Sequence, residues 1–197
     1  MPILSKKHFY LHLLDRLSHR KPELFLLTLS MKLCSSHVES AETDLYRVVK
    51  QFYFDVESCG TLSIQVLQAG VLIALYELGH AIYPATFLSV GGCCRYATAL
   101  GLDKDVSSRG YSKLPWIEEE EHRRVWWSLL ILDRYVLSVA CIIGQNLLRL
   151  LDRFLNLCDP GRHLITPDPE PGSYLPVDDA AWDAGVGTAH CIQQNMV

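Results

Sequence analysis

The sequence lacks the features that mark most DNA-binding, secreted and membrane proteins. Its 197 residues carry a net charge of -4, so no basic field predicts contact with nucleic acid. Residues 1–16 contain charges and histidines where a signal peptide needs an unbroken apolar run. The longest apolar stretch, residues 128–144, is interrupted by Asp133 and Arg134 and is too short to span a bilayer comfortably. These absences predict a soluble intracellular protein that makes no membrane contact.

Metal-binding and catalytic patterns are also missing. The seven cysteines are an odd number, and no two of them have C-x-x-C spacing. Zinc ligands usually come in such short pairs, whereas a free thiol in an apolar helix packs as a small hydrophobic group. No H-E-x-x-H, G-x-S-x-G, G-x-G-x-x-G or phosphate-loop pattern occurs. We therefore predict no metal, no cofactor and no catalytic residue, and a protein that is not an enzyme.

What the sequence does contain is a series of apolar segments at helical spacing, without strand-like alternation. Helices are predicted over residues 22–34, 43–57, 63–79, 85–100 and 118–138. Thr43 and Ser63 are predicted N-caps, and Gly79 and Gly101 are predicted helix stops. Few residues join the third and fourth segments, which should form an antiparallel hairpin. The predicted fold is all-α, an irregular multi-helix array of antiparallel helical pairs.

The segment 118–138 (EEEEHRRVWWSLLILDRYVLS) is predicted to organise the rest of the chain. Its first-turn carboxylates suit the positive end of a helix dipole. Its apolar residues cover so much of the circumference that we expect other helices to surround it. Asp133 and Arg134 interrupt the apolar surface, and we expect each to pair with a neighbour at the edge of the core, because unpaired buried charges are costly.

Two i,i+4 ion pairs are predicted at the start of this segment, Glu119 with Arg123 and Glu120 with Arg124. Each pair should contribute about 0.3–0.5 kcal/mol, and the pair of Glu120 with Arg124 is predicted to be exposed. We then expect Glu120→Ala to cost no more than a few tenths of a kcal/mol, roughly the value of a surface pair. Trp126→Ala and Leu129→Ala should cost about 3–5 and 2–5 kcal/mol, as truncations of buried side chains do.

The run acid–Arg-Arg–Val-Trp-Trp–Ser-Leu–x–Ile-Leu-Asp-Arg-Tyr in this segment resembles the signature helix of the fungal-specific transcription factor domain. That domain is the middle regulatory region of fungal regulators that carry a binuclear zinc cluster. Residues 68–103 resemble the family's central helical pair, and the resemblance covers roughly residues 20–143. The family's six-cysteine DNA-binding cluster is absent from this sequence.

The resemblance implies a nuclear, transcription-regulator-like protein. It would be a regulatory and interaction domain without its own DNA-binding cluster, so we expect no direct DNA binding from this chain alone. The implied partners are proteins of the transcription machinery or a full-length regulator, and a small-molecule inducer. The family's helical domain usually continues further, so we expect this chain to be truncated relative to the family.

Three regions are predicted. Residues 1–144 form the helical regulatory core, residues 145–161 form an inserted segment, and residues 162–197 form a proline-rich loop and a truncated C-terminal end. In the family, a Gly-Arg segment usually follows the signature helix directly. The 17 inserted residues correspond to 17 × 3 = 51 nucleotides, which keep the reading frame, so we hypothesise a retained intron.

The alternative is a genuine extra helix, because Leu147, Leu151 and Phe154 have helical spacing. Such a helix would direct the following loop away from its usual packing surface. The sequence leaves both explanations of the insertion open.

A second motif favours a different function. Asp178, Asp179 and Asp183 have the spacing of an acidic magnesium motif in all-α prenyl-diphosphate enzymes, in which clustered carboxylates bridge metal ions. However, this motif is predicted to lie in a loop, and no second motif faces it. Three functions stay open at this point. They are a transcription regulator or a fragment of one, an interaction module that modulates a full-length regulator, and, with the least support, a magnesium-dependent prenyl-diphosphate enzyme.

Overall fold

The computed structural model describes residues 2–10, 21–36, 43–60, 62–104, 114–146, 163–170 and 173–185. The helices within these ranges are α1 (Lys6–His8), α2 (Pro22–Ser35), α3 (Asp44–Ser58), α4 (Ile64–Gly79), α5 (Tyr83–Ala99), α6 (Trp116–Asn146) and α7 (Asp179–Ala184). These ranges contain no β-strand. The predicted all-α fold is confirmed.

Helix α4 lies at the centre of the fold. It packs against α2, α3, α5 and α6, and its buried residues lie on every side of the helix. A helix that is apolar on all sides can be stable only when it is enclosed in this way. Three residues, 80–82, connect α4 to α5, and the two helices form the predicted antiparallel hairpin.

Helix α6 packs against α5 and α4, but within the described part of the chain other helices do not surround it as we predicted. Ile131 on this helix is 57% exposed, and Tyr135 is also exposed. Glu120 and Arg124 are instead covered by the segment 173–185, and Asp133 is covered by residues 165–166. The apolar stripe of Val125, Leu129 and other residues is nevertheless buried.

Both predicted N-caps are confirmed. The Thr43 side chain accepts a hydrogen bond from the Tyr46 N–H at 3.1 Å, and the Ser63 side chain accepts one from the Val66 N–H at 3.2 Å. Each hydroxyl satisfies one of the amide donors that the first turn of a helix leaves without an intrahelical partner.

Of the two glycines predicted to end a helix, one does so and the other does not. Gly101 has the expected left-handed backbone (φ 72°), and the Leu102 N–H closes the end of α5 on the Ala97 carbonyl at 3.0 Å. Gly79 was predicted to stop α4 but is its last helical residue. Ala81 takes the left-handed position instead (φ 58°), which is unfavourable for a residue with a Cβ.

The N-terminal residues are part of the core. The Ile3 side chain is buried, and its carbonyl accepts a hydrogen bond from the Gln68 amide of α4 at 2.9 Å. The Pro2 carbonyl accepts one from Arg124 of α6 at 3.3 Å. The start of the chain therefore bridges the central helix and α6.

The end of α6 bears on the predicted division of the chain. The helix reaches Asn146, eight residues beyond the predicted end at Ser138, and so includes the first two residues of the segment 145–161. Residues 147–162, including Leu147, Leu151 and Phe154, lie outside the described residues. The division at residue 144 and both explanations of the insertion stay predictions.

The cysteines that the structure describes are free thiols. Cys93 and Cys94 are buried in α5, and burial raises the pKa of each to about 12, whereas Cys34 and Cys59 are exposed. No group of three histidine, cysteine, aspartate or glutamate side chains in the described ranges could hold a metal ion. No helix within those ranges is long and apolar enough to cross a bilayer.

Candidate functional site

The site forms where the first half of α6 binds the segment 173–185. Its centre is Arg124, whose side chain is 0% exposed. The guanidinium donates from Nε to Glu120 Oε1 at 3.0 Å, from Nη1 to Asp179 Oδ1 at 2.5 Å and from Nη2 to the Val177 carbonyl at 2.5 Å. Its central carbon lies 4.0 Å from the centre of the Trp182 ring. We call Glu120, Arg123, Arg124, Val177, Asp179 and Trp182 the Arg124 cluster.

Glu120 is the anionic centre of this cluster and is also 0% exposed. Its Oε1 accepts hydrogen bonds from Arg124 and from the Val177 N–H at 2.8 Å, and its Oε2 accepts one from Arg123. The prediction that Glu120 and Arg124 form an exposed pair is therefore wrong. The chain that covers them comes from residues more than 50 positions away, which helical spacing does not reveal.

The predicted loop at residues 178–183 contains a short helix, α7. The Asp178 carboxylate accepts a hydrogen bond from the Ala181 N–H at 2.8 Å and caps this helix. The cap places Asp179 in the first turn, next to Arg124, and places Trp182 on the buried side. Gly185 ends the helix with a left-handed backbone (φ 73°).

This arrangement also removes the basis for the magnesium motif. Asp178 caps α7, and Asp179 forms an ion pair with Arg124 at 2.5 Å, so two of the three carboxylates bind groups of the chain itself. A magnesium site requires several carboxylate oxygens that converge on one point. The carboxylates here stabilise the fold.

A second polar contact lies further along α6. Asp133 Oδ2 accepts hydrogen bonds from the Ile165 N–H at 2.9 Å and from the Thr166 N–H and hydroxyl, both at 2.8 Å. Arg134 forms an ion pair with Asp168 at 2.6 Å. The prediction that Asp133 and Arg134 pair with neighbours at the edge of the core is confirmed.

The contacts give the direction of the returning chain. Residues 165–168 lie beside residues 133–134, the Tyr174 carbonyl accepts a hydrogen bond from the Trp127 ring N–H at 2.9 Å, and residues 177–182 lie beside residues 120–124. This part of the chain therefore runs antiparallel to α6. Whether residues 145–161 form an extra helix, and whether such a helix directs the loop away from its usual packing surface, stay predictions.

A cavity of about 300 Å³ lies between α6, residues 102–104, residues 167–170 and residues 173–174. Trp126, Trp127 and Tyr174 line it together with charged side chains. Arg123, in its wall, lies over the Tyr174 ring at 5.8 Å and forms an ion pair with Glu119 at 3.0 Å. Three of the charged side chains that line the cavity, Glu119, Arg123 and Asp168, therefore already have partners within the chain.

Sequence reasoning identified most members of this site but not the contacts between them. The i,i+4 pairs Glu119–Arg123 and Glu120–Arg124 are both present, as helical spacing predicts. The contact between Arg124 and Asp179 spans 55 residues and was missed. The available signal was a pair of acids and a tryptophan in the C-terminal loop, opposite a helix that carries two adjacent arginines.

The chain matches the family model of the fungal specific transcription factor domain over residues 1–187. It is 39% identical over 128 residues to transcription factor BOA15 of Botryotinia fuckeliana, which covers 63% of this chain and 72% of that protein. It is 32% identical over 80 residues to transcription factor asqA of Emericella nidulans, which covers 41% of this chain and 13% of that protein. No solved structure gives a significant match. Because the family model covers nearly the whole chain, the chain belongs to the family of the fungal specific transcription factor domain.

Proposed function

We propose that this chain is the regulatory and interaction domain of a fungal transcription regulator, and that it acts in the nucleus through contacts with other proteins. The observation that carries the proposal is the match to the family domain over residues 1–187. Two relatives, BOA15 and asqA, are each named as a transcription factor. The partners that we propose are the transcription machinery or a full-length regulator, and a small-molecule inducer.

Charge and site chemistry support a role in protein contacts over a role in DNA binding or catalysis. The net charge of -4 repels a phosphate backbone, and the seven cysteines lack paired spacing. The carboxylates of Asp178 and Asp179 are used in capping and ion pairing, so these two residues of the acidic motif stabilise the fold. A regulatory domain of this kind reaches DNA through a separate zinc cluster.

The Arg124 cluster supplies a way to regulate such a domain. The segment 173–185 binds α6 through charges that are fully buried on the helix side. If an effector released this segment, Glu120 and Arg124 would lose their remote partners together, because both contact Val177. A partner protein that prefers either the docked or the released state would therefore change the surface that the domain presents.

The proposal is tested by joining the whole chain to a heterologous DNA-binding domain upstream of a reporter gene. We expect reporter transcription to differ severalfold from that given by the DNA-binding domain alone. Arg124→Ala should abolish the difference, whereas the matched control Arg47→Ala, in an exposed pair with Asp44, should preserve it. A fusion that accumulates in the nucleus and leaves transcription unchanged would overturn the proposal.

Two further measurements separate the modes of action. In a gel-shift experiment at low salt the isolated chain should show no sequence-selective binding, and competitor-resistant binding would contradict the proposed dependence on a partner. Affinity purification of the tagged chain from fungal nuclei tests the partner. Recovery of a regulator that carries a zinc cluster would identify an interaction module that modulates that regulator.

A further inference from the structure

A second cavity, separate from the Arg124 cluster, lies between α3, α4 and α5. Its volume is about 340 Å³, and its apolar walls include Tyr53, Phe54, Ile73 and Leu88. Phe54 and Leu88 are exposed and form its rim. Small-molecule sites in proteins are typically mostly apolar and have volumes of about 300–1,000 Å³. In size and lining this cavity therefore resembles a site for a small ligand.

Two glycines explain why the space is there. A Cβ atom at Gly70 of α4 would lie 2.7 Å from the Cys93 sulfur, so glycine is required for close packing at that position. A Cβ atom at Gly92 of α5 would meet nothing within 4 Å, although Gly92 lines the cavity. Glycine weakens a helix interior relative to alanine. At Gly92 it makes no close contact in return, and its effect is to leave the cavity open.

One wall of the cavity carries a buried charged group. Lys50 Nζ donates to Glu77 Oε1 at 2.6 Å and to Ser89 Oγ at 2.6 Å, and Lys50 and Ser89 line the cavity. The Tyr46 hydroxyl donates to the same Glu77 oxygen at 2.8 Å. Glu77 is fully buried, and its other oxygen, Oε2, has no hydrogen-bond partner within the described residues. A buried polar group normally has a partner, so the Glu77 carboxylate that binds Lys50 is incompletely satisfied.

Lys50 can supply the contact to a ligand. An ammonium group has three N–H donors, and Glu77 and Ser89 accept two of them. The Lys50 side chain is 22% exposed and lines the cavity, with Nζ 5.8 Å from the centre of the Phe54 ring, so a ligand in the cavity would lie next to it. Glu77 already balances the charge of Lys50, and Glu57 is a further carboxylate in the wall. A carboxylate ligand would add an unbalanced negative charge here, whereas a neutral oxygen acceptor would not.

We propose that this cavity binds a compact, neutral, mainly apolar molecule with one oxygen acceptor, such as an aromatic ketone or a phenol, and that Lys50 donates to that oxygen. The ligand would fill the space beside Gly92 and lie against the Tyr53 and Phe54 rings. The thiol of Cys93 lines the same cavity, but burial keeps it protonated, because its pKa is raised to about 12. Binding is therefore non-covalent. The inference rests on the proposed function only in that such a ligand would be the inducer.

The test uses prodan, a neutral naphthyl ketone whose emission shifts to the blue in apolar surroundings. We expect saturable binding to the whole chain, displacement by neutral acetylnaphthalene, and much weaker displacement by anionic naphthoate. Gly92→Leu should fill the cavity and weaken prodan binding at least about tenfold, a change of about 1.4 kcal/mol. The matched control is Gly79→Leu, since a side chain there also meets no neighbour but lies outside the cavity.

Folding is monitored separately, so that each result can be interpreted. Gly92→Ala should raise the melting temperature followed by circular dichroism, because alanine favours the helix and meets open space. The proposal is overturned if folded wild-type chain binds no prodan, or if folded Gly92→Leu binds it as tightly as wild type. Equal displacement by naphthoate would overturn the neutral-ligand assignment. If the chain binds prodan but its reporter fusion leaves transcription unchanged, the proposed function is rejected and the proposed ligand site is not.

Discussion

The α4–α5 hairpin and the Arg124 cluster are both buried, but different forces stabilise them. The hairpin is held by apolar side chains and by a close approach at Gly70, and its two helices are neighbours in the sequence. The Arg124 cluster is held by buried charges, and its members come from two separate parts of the chain, residues 120–124 and 177–182. Loss of one apolar group costs free energy in proportion to the space left empty, whereas loss of one buried charge leaves its partner uncompensated. The two regions should therefore respond differently to single and double substitutions.

The largest effect is expected in the cluster. Glu120→Ala should lower the free energy of unfolding by about 3–5 kcal/mol, because Arg124 and the Val177 N–H lose a buried carboxylate partner. This replaces the estimate of a few tenths that an exposed pair would give. Urea denaturation followed by circular dichroism measures the change, and Arg47→Ala, whose pair with Asp44 is exposed, serves as the control.

The double variant Glu120→Ala/Arg124→Ala sharpens this test. Its destabilisation should be smaller than the sum for the two single variants, because the second substitution removes the charge that the first leaves unpaired. Strict additivity would show that the two side chains contribute independently, contrary to the geometry.

A substitution in the α4–α5 hairpin should lower the free energy of unfolding by less, and its effect should add to that of Glu120→Ala. Leu67→Ala on α4 should cost about 2–5 kcal/mol, because the fully buried side chain leaves a cavity. Combined with Glu120→Ala, the two costs should add to within about 0.5 kcal/mol if the sites do not share partners. A coupling energy well above that value in the same denaturation experiments would mean that the two regions are not energetically separate.

Removal of a helix cap should lower the free energy of unfolding by a still smaller amount. Ser63→Ala removes the hydroxyl that accepts from the Val66 N–H at 3.2 Å, and should cost about 1 kcal/mol. Ser63→Asp restores an acceptor and should recover most of the loss. If the aspartate variant were as unstable as the alanine variant, the hydroxyl would not be acting as a cap.

The smallest effect concerns the thiols of the hairpin. Burial raises the pKa of Cys93 from its ordinary value of 9.0 to about 12, so the folded state favours the protonated thiol. The protonated Cys93 thiol therefore makes its full contribution to the free energy of unfolding below pH 9. That contribution is lost as the pH rises from 9 towards 12. At pH 9, iodoacetamide should modify exposed Cys59 much faster than Cys93, as peptide mapping would show. Equal rates without denaturant would contradict the burial of Cys93.

The difference between the two regions also explains which features could be predicted from the sequence. Helix positions, the Thr43 and Ser63 caps and the α4–α5 hairpin depend on residues close in sequence, and periodicity and capping rules identify them. The burial of Glu120 depends on Val177, and the i,i+4 rule treats that glutamate as a surface residue. Ala81 was missed because nothing local marks an alanine for a left-handed turn. The cavity beside Gly92 was likewise hidden, because no local sequence pattern marks a glycine that lines a cavity.

The distance along the chain between Arg124 and its partners in the segment 173–185 has a consequence for protein synthesis. Asp179 follows Arg124 by 55 residues, which corresponds to about 3–11 s of translation at roughly 5–20 residues per second. During that interval the α4–α5 hairpin is already complete, whereas α6 leaves the ribosome with Arg124 and Glu120 still awaiting the Val177 backbone. A message whose reading frame shifted between these points would yield a chain that never closes the contact. The nascent domain is therefore exposed to chaperones and proteases for as long as residues 177–182 remain untranslated.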